Sequence, residues 1–144
     1  MQDAAFSSAY VWRAECNSQY MPHRILIVDD DEQIVASLRE YLVSFGYDVD
    51  FAYELEEAQT LLNHFSYEAV ITDLRLNRFG FTGLEIIKQV REVSTPTHVV
   101  VLTGHGWPEL EAEASAHGVC VFLQKPMPAA QILNTINLLV GAAA

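Results

Sequence analysis

The chain has 144 residues, 51% of them hydrophobic, which is one domain's worth of sequence and enough to bury a core. A formal net charge of −11 argues against direct nucleic-acid binding, because phosphate backbones are bound by an excess of Lys and Arg. The apolar stretches are too short to span a membrane, and the start of the chain lacks the charged and apolar regions of a secretion signal.

Apolar runs alternate with helical periodicity along the chain, a pattern typical of β-α units and a parallel sheet. Strands are predicted near 24–28, 47–51, 68–72, 98–102 and 119–123. Helices are predicted near 31–45, 54–65, 83–93, 108–117 and 128–140. In the first helix, the inward-facing residues are predicted to be Ile34, Leu38, Leu42 and Phe45. Right-handed crossovers between parallel strands then require helices on both faces of the sheet.

The ends of the chain fit this pattern less well. Residues 1–22 have no clear period and are predicted to be a loosely ordered extension, followed by one domain at 23–141 and a tail at 142–144. Cys16 lies in that extension and Cys120 in an apolar run, a poor context for a disulfide framework. A reduced, cytoplasmic location is the simpler prediction.

Acidic residues follow the first and third predicted strands. Asp29, Asp30 and Asp31 come after the run 25–28, and Asp73 comes after the run 69–71. Because the carboxyl ends of parallel strands meet at one edge of a sheet, these carboxylates are expected to lie together. They would repel one another unless a cation joined them, and Mg²⁺ accepts one or two carboxylates while keeping water and phosphate oxygens. The arrangement favours magnesium-assisted phosphoryl chemistry.

Each acid also has a purely structural interpretation. Asp30, with Gln33 three residues later, resembles a helix capping box, and Asp73 taken alone is equally a turn residue after a strand. Capping at the first strand does not explain why an acid should end a different strand.

Two more polar residues follow the fourth and fifth strands. Thr103 closes the run 99–102, where a β-branched residue is commonplace. Lys125 is the only Lys or Arg beyond Arg91, and its charge needs a partner unless it is a surface lysine at a strand end. A cis bond to Pro126 would aim its ammonium back into the site, although sequence alone favours trans.

Taken together, these segments resemble the receiver domain of two-component response regulators. The matching pieces are 25–32, 69–74, 83–84, 99–104 and 122–126, within a resemblance that covers roughly residues 24–140. The resemblance implies a flavodoxin-like, doubly wound α/β fold with five parallel strands in the order 2-1-3-4-5.

The resemblance also implies a chemical role for the acids. Asp73 takes the phosphoacceptor position, and its carboxylate would attack phosphorus in line to give an aspartyl phosphate. Asp29 and Asp30 match the acidic pair that holds Mg²⁺, with Asp73 and the backbone carbonyl of Arg75 as the remaining protein ligands. The phosphoryl donor would be a histidine kinase or a histidine phosphotransfer protein.

Three further residues match family positions that respond to the phosphoryl group. Thr103 matches the hydroxyl residue that binds a phosphoryl oxygen, and Lys125 matches the lysine that pairs with the phosphoryl group. Phe122 falls at the aromatic switch position, where it lacks the hydroxyl of Tyr and would act by packing alone. The switched surface would comprise the fourth helix, fifth strand and fifth helix, and a downstream protein or a second copy in a homodimer would read it.

One segment departs from the family pattern. The usual proline four residues after the phosphoacceptor is Asn77, and Gly83 comes two residues later than usual, so the loop at 77–82 is longer. A tolerated surface insertion is favoured slightly over altered kinase recognition or altered phosphoryl lifetime. Arg75 and His105 match variable positions that flank the path of water to the phosphoryl group, and are predicted to modulate that lifetime.

Two alternatives to phosphoacceptor signalling remain. A receiver-like module that works by protein interaction without phosphorylation would not need the complete acidic set. A Mg²⁺-dependent phosphohydrolase of related architecture would need an acid two residues after the nucleophile, and that position is Arg75. The chain is therefore predicted to catalyse only its own phosphorylation and dephosphorylation rather than to be an enzyme with other substrates.

Overall fold

The predicted alternation of strands and helices is confirmed in the computed structural model, which describes residues 22–75, 83–93, 96–104, 108–119 and 121–141. The strands are β1 (Arg24–Val28), β2 (Asp48–Ala52), β3 (Ala69–Thr72), β4 (His98–Thr103) and β5 (Val121–Gln124). The helices are α1 (Glu32–Ser44), α2 (Leu55–His64), α3 (Leu84–Val93), α4 (Pro108–Ala116) and α5 (Ala129–Val140). No helix in these ranges is long and apolar enough to cross a bilayer.

The strands form one parallel sheet in the order β2-β1-β3-β4-β5, which confirms the predicted order. Val28, the last residue of β1, pairs with Thr72, the last residue of β3. The residues that follow them therefore leave the sheet side by side. Between β4 and β5, Thr103 pairs with Gln124, so Lys125 emerges at the same edge. The strand order reverses between β1 and β3, the position at which open α/β sheets bind ligands.

Both faces of the sheet are buried by helices, which is why β1, β3 and β4 are almost continuously apolar. Leu26 and Val28 face a core layer formed with α2, α3 and α4. Ile25 and Ile27 face the opposite layer, formed with α1 and α5. β1 is therefore excluded from water on both sides, and its backbone offers a rigid base for the residues that follow it.

The two ends of α1 differ from the sequence prediction. Asp31, and not Asp30, is the N-cap: its carboxylate accepts hydrogen bonds from the backbone N–H of Gln33 at 3.0 Å and of Ile34 at 3.2 Å. The predicted capping box at Asp30 is therefore wrong. The inward position of Phe45 is also wrong, because the helix ends at Ser44 and Phe45 is 57% exposed.

Candidate functional site

Two buried carboxylates stand at the carboxyl edge of the central strands. Asp29 follows β1 and Asp73 follows β3, and they are 2% and 8% exposed. The backbone of each acid still continues the sheet, because Asp29 N–H donates to the carbonyl of Ala52 at 3.1 Å and Asp73 N–H to that of Val28 at 3.2 Å. The neighbouring strands thus fix both carboxylates relative to one another.

The ammonium of Lys125 lies between these two carboxylates. Its Nζ donates to Oδ2 of Asp29 at 2.7 Å and to Oδ2 of Asp73 at 2.9 Å. The backbone N–H of Lys125 donates to the carbonyl of Thr103 at 2.8 Å, and the peptide bond to Pro126 is cis. The alternative of a surface lysine is wrong, since the side chain is only 19% exposed and joins both acids.

The electrostatics of this cluster follow from burial and shared charge. Burial raises the pKa of Asp29, and the hydrogen bonds from Lys125 and the Asp31 N–H offset that rise only in part. Burial acts to lower the pKa of Lys125, but its bonds to Asp29 and Asp73 outweigh burial and the pKa is raised. Lys125 therefore keeps its proton. Asp29, which is more deeply buried than Asp73, shares this single ammonium with Asp73. With both acids ionised, one positive charge faces two negative charges.

Backbone N–H groups hold the second oxygen of each buried carboxylate. Oδ1 of Asp29 accepts from the N–H of Asp31 at 2.9 Å, and Oδ1 of Asp73 accepts from the N–H of Arg75 at 3.1 Å. Asp30 is exposed at the rim. Both buried side chains are thus oriented from two directions.

The donor chemistry of the site is that of a hard cation. Within the described residues, no three or more His, Cys, Asp or Glu side chains form a group that could hold a metal ion by themselves. Mg²⁺ does not require such a group, because it takes one or two carboxylates and fills its remaining positions with water or phosphate oxygens. Asp29 and Asp73, separated by no more than the span of one ammonium and its two hydrogen bonds, suit that demand.

Thr103 and Phe122 lie on the neighbouring strands β4 and β5. Thr103 is the last residue of β4, 5% exposed, next to the strand position that precedes Lys125. Phe122 pairs in register with Val101, two residues before Thr103, and packs half-buried against the core layer of α2, α3 and α4. Since side chains two residues apart share one face of a strand, Phe122 and Thr103 are on the same face.

The structure describes some of the remaining predicted site residues and not others. Arg75 is exposed, and its backbone N–H holds Asp73 as described above. His105, the loop at 77–82, Cys16 and Cys120 lie outside the described residues. Thr72, which the sequence analysis did not single out, has a fully buried hydroxyl that donates to the backbone carbonyl of Asp73 at 3.0 Å. Its only sequence signal is its position directly before Asp73.

Comparison with known proteins gives a family match over most of the chain. The model of the "Response regulator receiver domain" family matches residues 25–137. Luminescence regulatory protein LuxO of Vibrio campbellii is 30% identical over 111 residues, which are 77% of this chain and 24% of that protein. The chain thus spans about a quarter of the length of this relative.

Solved structures show the same fold. A CheY-like response regulator receiver domain protein of Methanospirillum hungatei JF-1 has a TM-score of 0.80 at 23% identity, covering 85% of this chain and 96% of that one. A response regulator protein of Burkholderia pseudomallei, solved with a phosphorylated aspartic acid, a calcium ion and citrate, has a TM-score of 0.71 at 26% identity, covering 84% of this chain and 73% of that one. These likenesses support the fold, and the family match over residues 25–137 shows that the chain belongs to the response regulator receiver domain family of two-component signalling proteins.

Proposed function

We propose that this chain is a phosphoacceptor that takes a phosphoryl group from a histidine kinase or a histidine phosphotransfer protein onto Asp73 with the help of Mg²⁺. The observation that carries the proposal is the Lys125 ammonium, which bonds to Asp29 at 2.7 Å and to Asp73 at 2.9 Å at the switch point of the sheet. If Asp29 and Asp73 were only a helix cap and a turn residue, their structural roles would not require the largely buried Lys125, which follows β5.

The chemistry follows from the contacts of Asp73. A carboxylate oxygen of Asp73 attacks the phosphorus atom, the bond from phosphorus to the donor breaks, and the product is an aspartyl phosphate. The N–H of Arg75 orients the attacking carboxylate through Oδ1. Lys125 already donates to Oδ2, so its ammonium is in position to pair with a phosphoryl oxygen as negative charge accumulates.

Mg²⁺ would be held by the carboxylates of Asp29, Asp30 and Asp73 and by the backbone carbonyl of Arg75. When bound, it supplies positive charge that neutralises phosphoryl oxygens. The excess negative charge of the buried cluster, two carboxylates on one ammonium, supports cation binding. The Burkholderia pseudomallei neighbour was solved with both a calcium ion and a phosphorylated aspartic acid, which is consistent with a cation at this type of site.

In this proposal, Thr103 binds a phosphoryl oxygen and Phe122 repacks in response. The two residues lie on one face of neighbouring strands, so movement of one changes the space open to the other. The altered surface of α4, β5 and α5 is then read by a downstream protein or by a second copy of the chain. Arg75 and His105 remain predicted modulators of phosphoryl lifetime, and a cytoplasmic location remains a prediction from the cysteines.

Two alternative functions have less support. A receiver-like interaction module without phosphorylation has no use for the buried lysine joined to two acids. A Mg²⁺-dependent phosphohydrolase lacks its second acid, because that position is the exposed Arg75. The chain would therefore catalyse only its own phosphorylation and dephosphorylation.

The test is intact-mass measurement after incubation with Mg²⁺ and acetyl phosphate. The parent chain should gain the mass of one phosphoryl group, and Asp73→Asn should gain none, because the amide is nearly isosteric with the carboxylate but is a poor nucleophile. The matched control is Asp48→Asn, which removes an acid that is 44% exposed at the opposite end of the sheet and should leave the adduct unchanged.

The outcomes separate the three functions. A stoichiometric adduct on Asp73 supports the phosphoacceptor, and no adduct on the parent chain supports the interaction module. Rapid multiple turnover of acetyl phosphate indicates a phosphohydrolase. A full adduct that persists in Asp73→Asn would refute the assignment of Asp73.

A further inference from the structure

We propose that Thr72 is a positioning residue for the phosphoacceptor: its buried hydroxyl fixes the backbone carbonyl of Asp73 and thereby the direction of the reacting carboxylate. This inference rests on the proposed function of Asp73. It concerns a residue that touches neither the phosphoryl donor nor the proposed cation.

Within the part of the chain that the structure describes, the hydroxyl of Thr72 makes one hydrogen bond. Thr72 is 0% exposed, and its Oγ1 donates to the carbonyl oxygen of Asp73 at 3.0 Å. The preceding residues of β3, Ala69, Val70 and Ile71, are apolar and no more than 2% exposed. A hydroxyl is costly in such surroundings unless it is bonded, so its bond to Asp73 is the interaction that offsets its burial.

Gly83 approaches the same carbonyl closely. A Cβ atom at Gly83 would lie 2.2 Å from the carbonyl oxygen of Asp73 and 3.1 Å from Oγ1 of Thr72, so any other residue would displace the backbone. The N–H of Gly83 also donates to the carbonyl of Leu74 at 2.8 Å. The backbone after β3 is thus in contact with both the Thr72 hydroxyl and Gly83, which directly precedes α3.

The contacts of Thr72 and Gly83 act on the reacting carboxylate through the backbone of Asp73. The orientation of the Asp73 carbonyl sets the peptide plane that leads into Leu74, and hence the position of the Arg75 N–H that donates to Oδ1 of Asp73 at 3.1 Å. The carbonyl of Arg75, a proposed ligand of Mg²⁺, follows on the same stretch of backbone. Loss of the hydroxyl should therefore loosen both the carboxylate and its cation, and small misplacements of a reacting group lower rates markedly.

The chain offers a matched control at the other end of the sheet. Thr97 is 3% exposed, and its Oγ1 donates to the backbone carbonyl of Tyr67 at 2.6 Å. Thr72→Val and Thr97→Val thus remove the same atom, in similar burial, from the same kind of bond. A purely structural role predicts similar behaviour of the two variants, whereas a positioning role predicts a difference in phosphorylation alone.

The experiment measures the rate at which acetyl phosphate phosphorylates Asp73 as a function of Mg²⁺ concentration, with urea unfolding of each variant as the measure of stability. Thr72→Val should lower the maximal rate about fivefold, equivalent to about 1 kcal/mol in the barrier. It should also shift the Mg²⁺ midpoint upward. Thr97→Val should lose about as much stability as Thr72→Val does, but its phosphorylation rate should stay within about twofold of the parent rate. Thr72→Ser, which keeps the hydroxyl, should recover most of the parent rate.

Each result supports or overturns the positioning role of Thr72. Parent-like rate and Mg²⁺ midpoint in Thr72→Val, together with lowered stability, would overturn the positioning role and leave the phosphoacceptor function standing. If the parent chain forms no adduct on Asp73, the proposed function fails and this inference fails with it. Should Thr72→Val not fold, Thr72→Ala is compared with Thr72→Ser in the same assays, and equal rates in those two variants would overturn the inference.

Discussion

Asp29 is a carboxylate that folding removes almost completely from water. Burial raises its pKa above the ordinary value of 3.8, because Lys125 and one backbone N–H compensate for lost hydration only in part. As pH rises, the unfolded chain therefore releases this proton before the folded chain does. Stability from the neutral carboxyl is present below pH 3.8 and is lost as pH rises through the higher folded pKa.

The resulting prediction concerns Asp29→Asn in the absence of divalent cations. At neutral pH the variant should be more stable than the parent by on the order of 1 kcal/mol, because the buried amide carries no charge while Lys125 keeps Asp73 as its partner. The gain should shrink as pH falls toward 3.8. Urea unfolding in EDTA over a pH series measures both effects, with Asp48→Asn as the exposed control. A variant less stable than the parent at neutral pH would mean that the ion pair outweighs burial.

The sequence was sufficient to predict which residues share the carboxyl edge of the sheet, but not how their side chains are oriented. Strand ends and parallel pairing predict that Asp29, Asp73, Thr103 and Lys125 share one edge, and the register brings them there. The bond from the Thr72 hydroxyl to the Asp73 carbonyl depends on backbone angles after the strand, which no residue pattern encodes. The choice of Asp31 over Asp30 as helix cap has the same origin, since adjacent acids are equivalent in sequence and differ only in backbone geometry.

At the scale of elements, β2 is an edge strand whose open side is covered by side chains. The backbone N–H and C=O groups of Val49 and Phe51 point away from β1. The backbone groups of Asp48 and Ala52, at alternate positions of the strand, instead hydrogen-bond toward β1 and its flanking residues. Nε of Arg39, from α1, donates to the carbonyl of Val49 at 3.2 Å. The same guanidinium lies 5.5 Å from the ring centroid of Phe51, which is 39% exposed.

A second helix covers the end of the same edge. The carboxylate of Glu57, from α2, accepts from the N–H of Tyr53 at 2.8 Å, directly after β2. Unpaired edge groups are templates for pairing with another chain, so these side chains act against association through the sheet.

Arg39→Ala is therefore expected to increase self-association. The substitution frees the carbonyl of Val49 and uncovers the ring of Phe51 on the same edge. Sedimentation velocity over a concentration series should show association at several-fold lower concentration than in the parent. Lys88→Ala is the matched control, because it also removes one positive charge from an exposed helix position, far from β2. An equal increase in association in the two variants would show that charge alone, and not edge protection, changed the association, and no increase in Arg39→Ala would show that the edge is not protected by this side chain.

Element type and order could be predicted because buried parallel strands are apolar runs and their helices carry a distinct period. The ends were less predictable. Phe45 continues the apolar period of α1, yet the helix has already ended at Ser44 and the chain reverses through Gly46, whose φ is 97°. At the other end of the helix, Val35 is an inward residue that the prediction left out, and it is 1% exposed. Where a helix stops depends on tertiary contacts that periodicity does not contain.

At the scale of the whole molecule, net charge is the dominant long-range property. The chain carries 19 acids against 8 Lys and Arg, a formal charge of −11. Folding brings these charges together, and their mutual repulsion opposes the compact state. Salt weakens repulsion between exposed charges beyond a screening length of about 10 Å at 0.1 M. Any stabilisation by magnesium salts therefore has two sources, general screening and occupation of the site.

The two sources can be separated by holding ionic strength constant. NaCl should raise the melting temperature of the parent gradually and without saturation. Replacement of NaCl by MgCl₂ at equal ionic strength should add a further rise in the melting temperature, because a cation that binds only the folded state stabilises it in proportion to the logarithm of its concentration above Kd. Asp73→Asn removes a carboxylate from the site and should lose most of this added rise while keeping the NaCl response. Asp48→Asn has the same net charge and should keep both. An equal MgCl₂ response in the two variants would show that magnesium acts on the molecule only through its charge, and that the acids after β1 and β3 do not form a cation site.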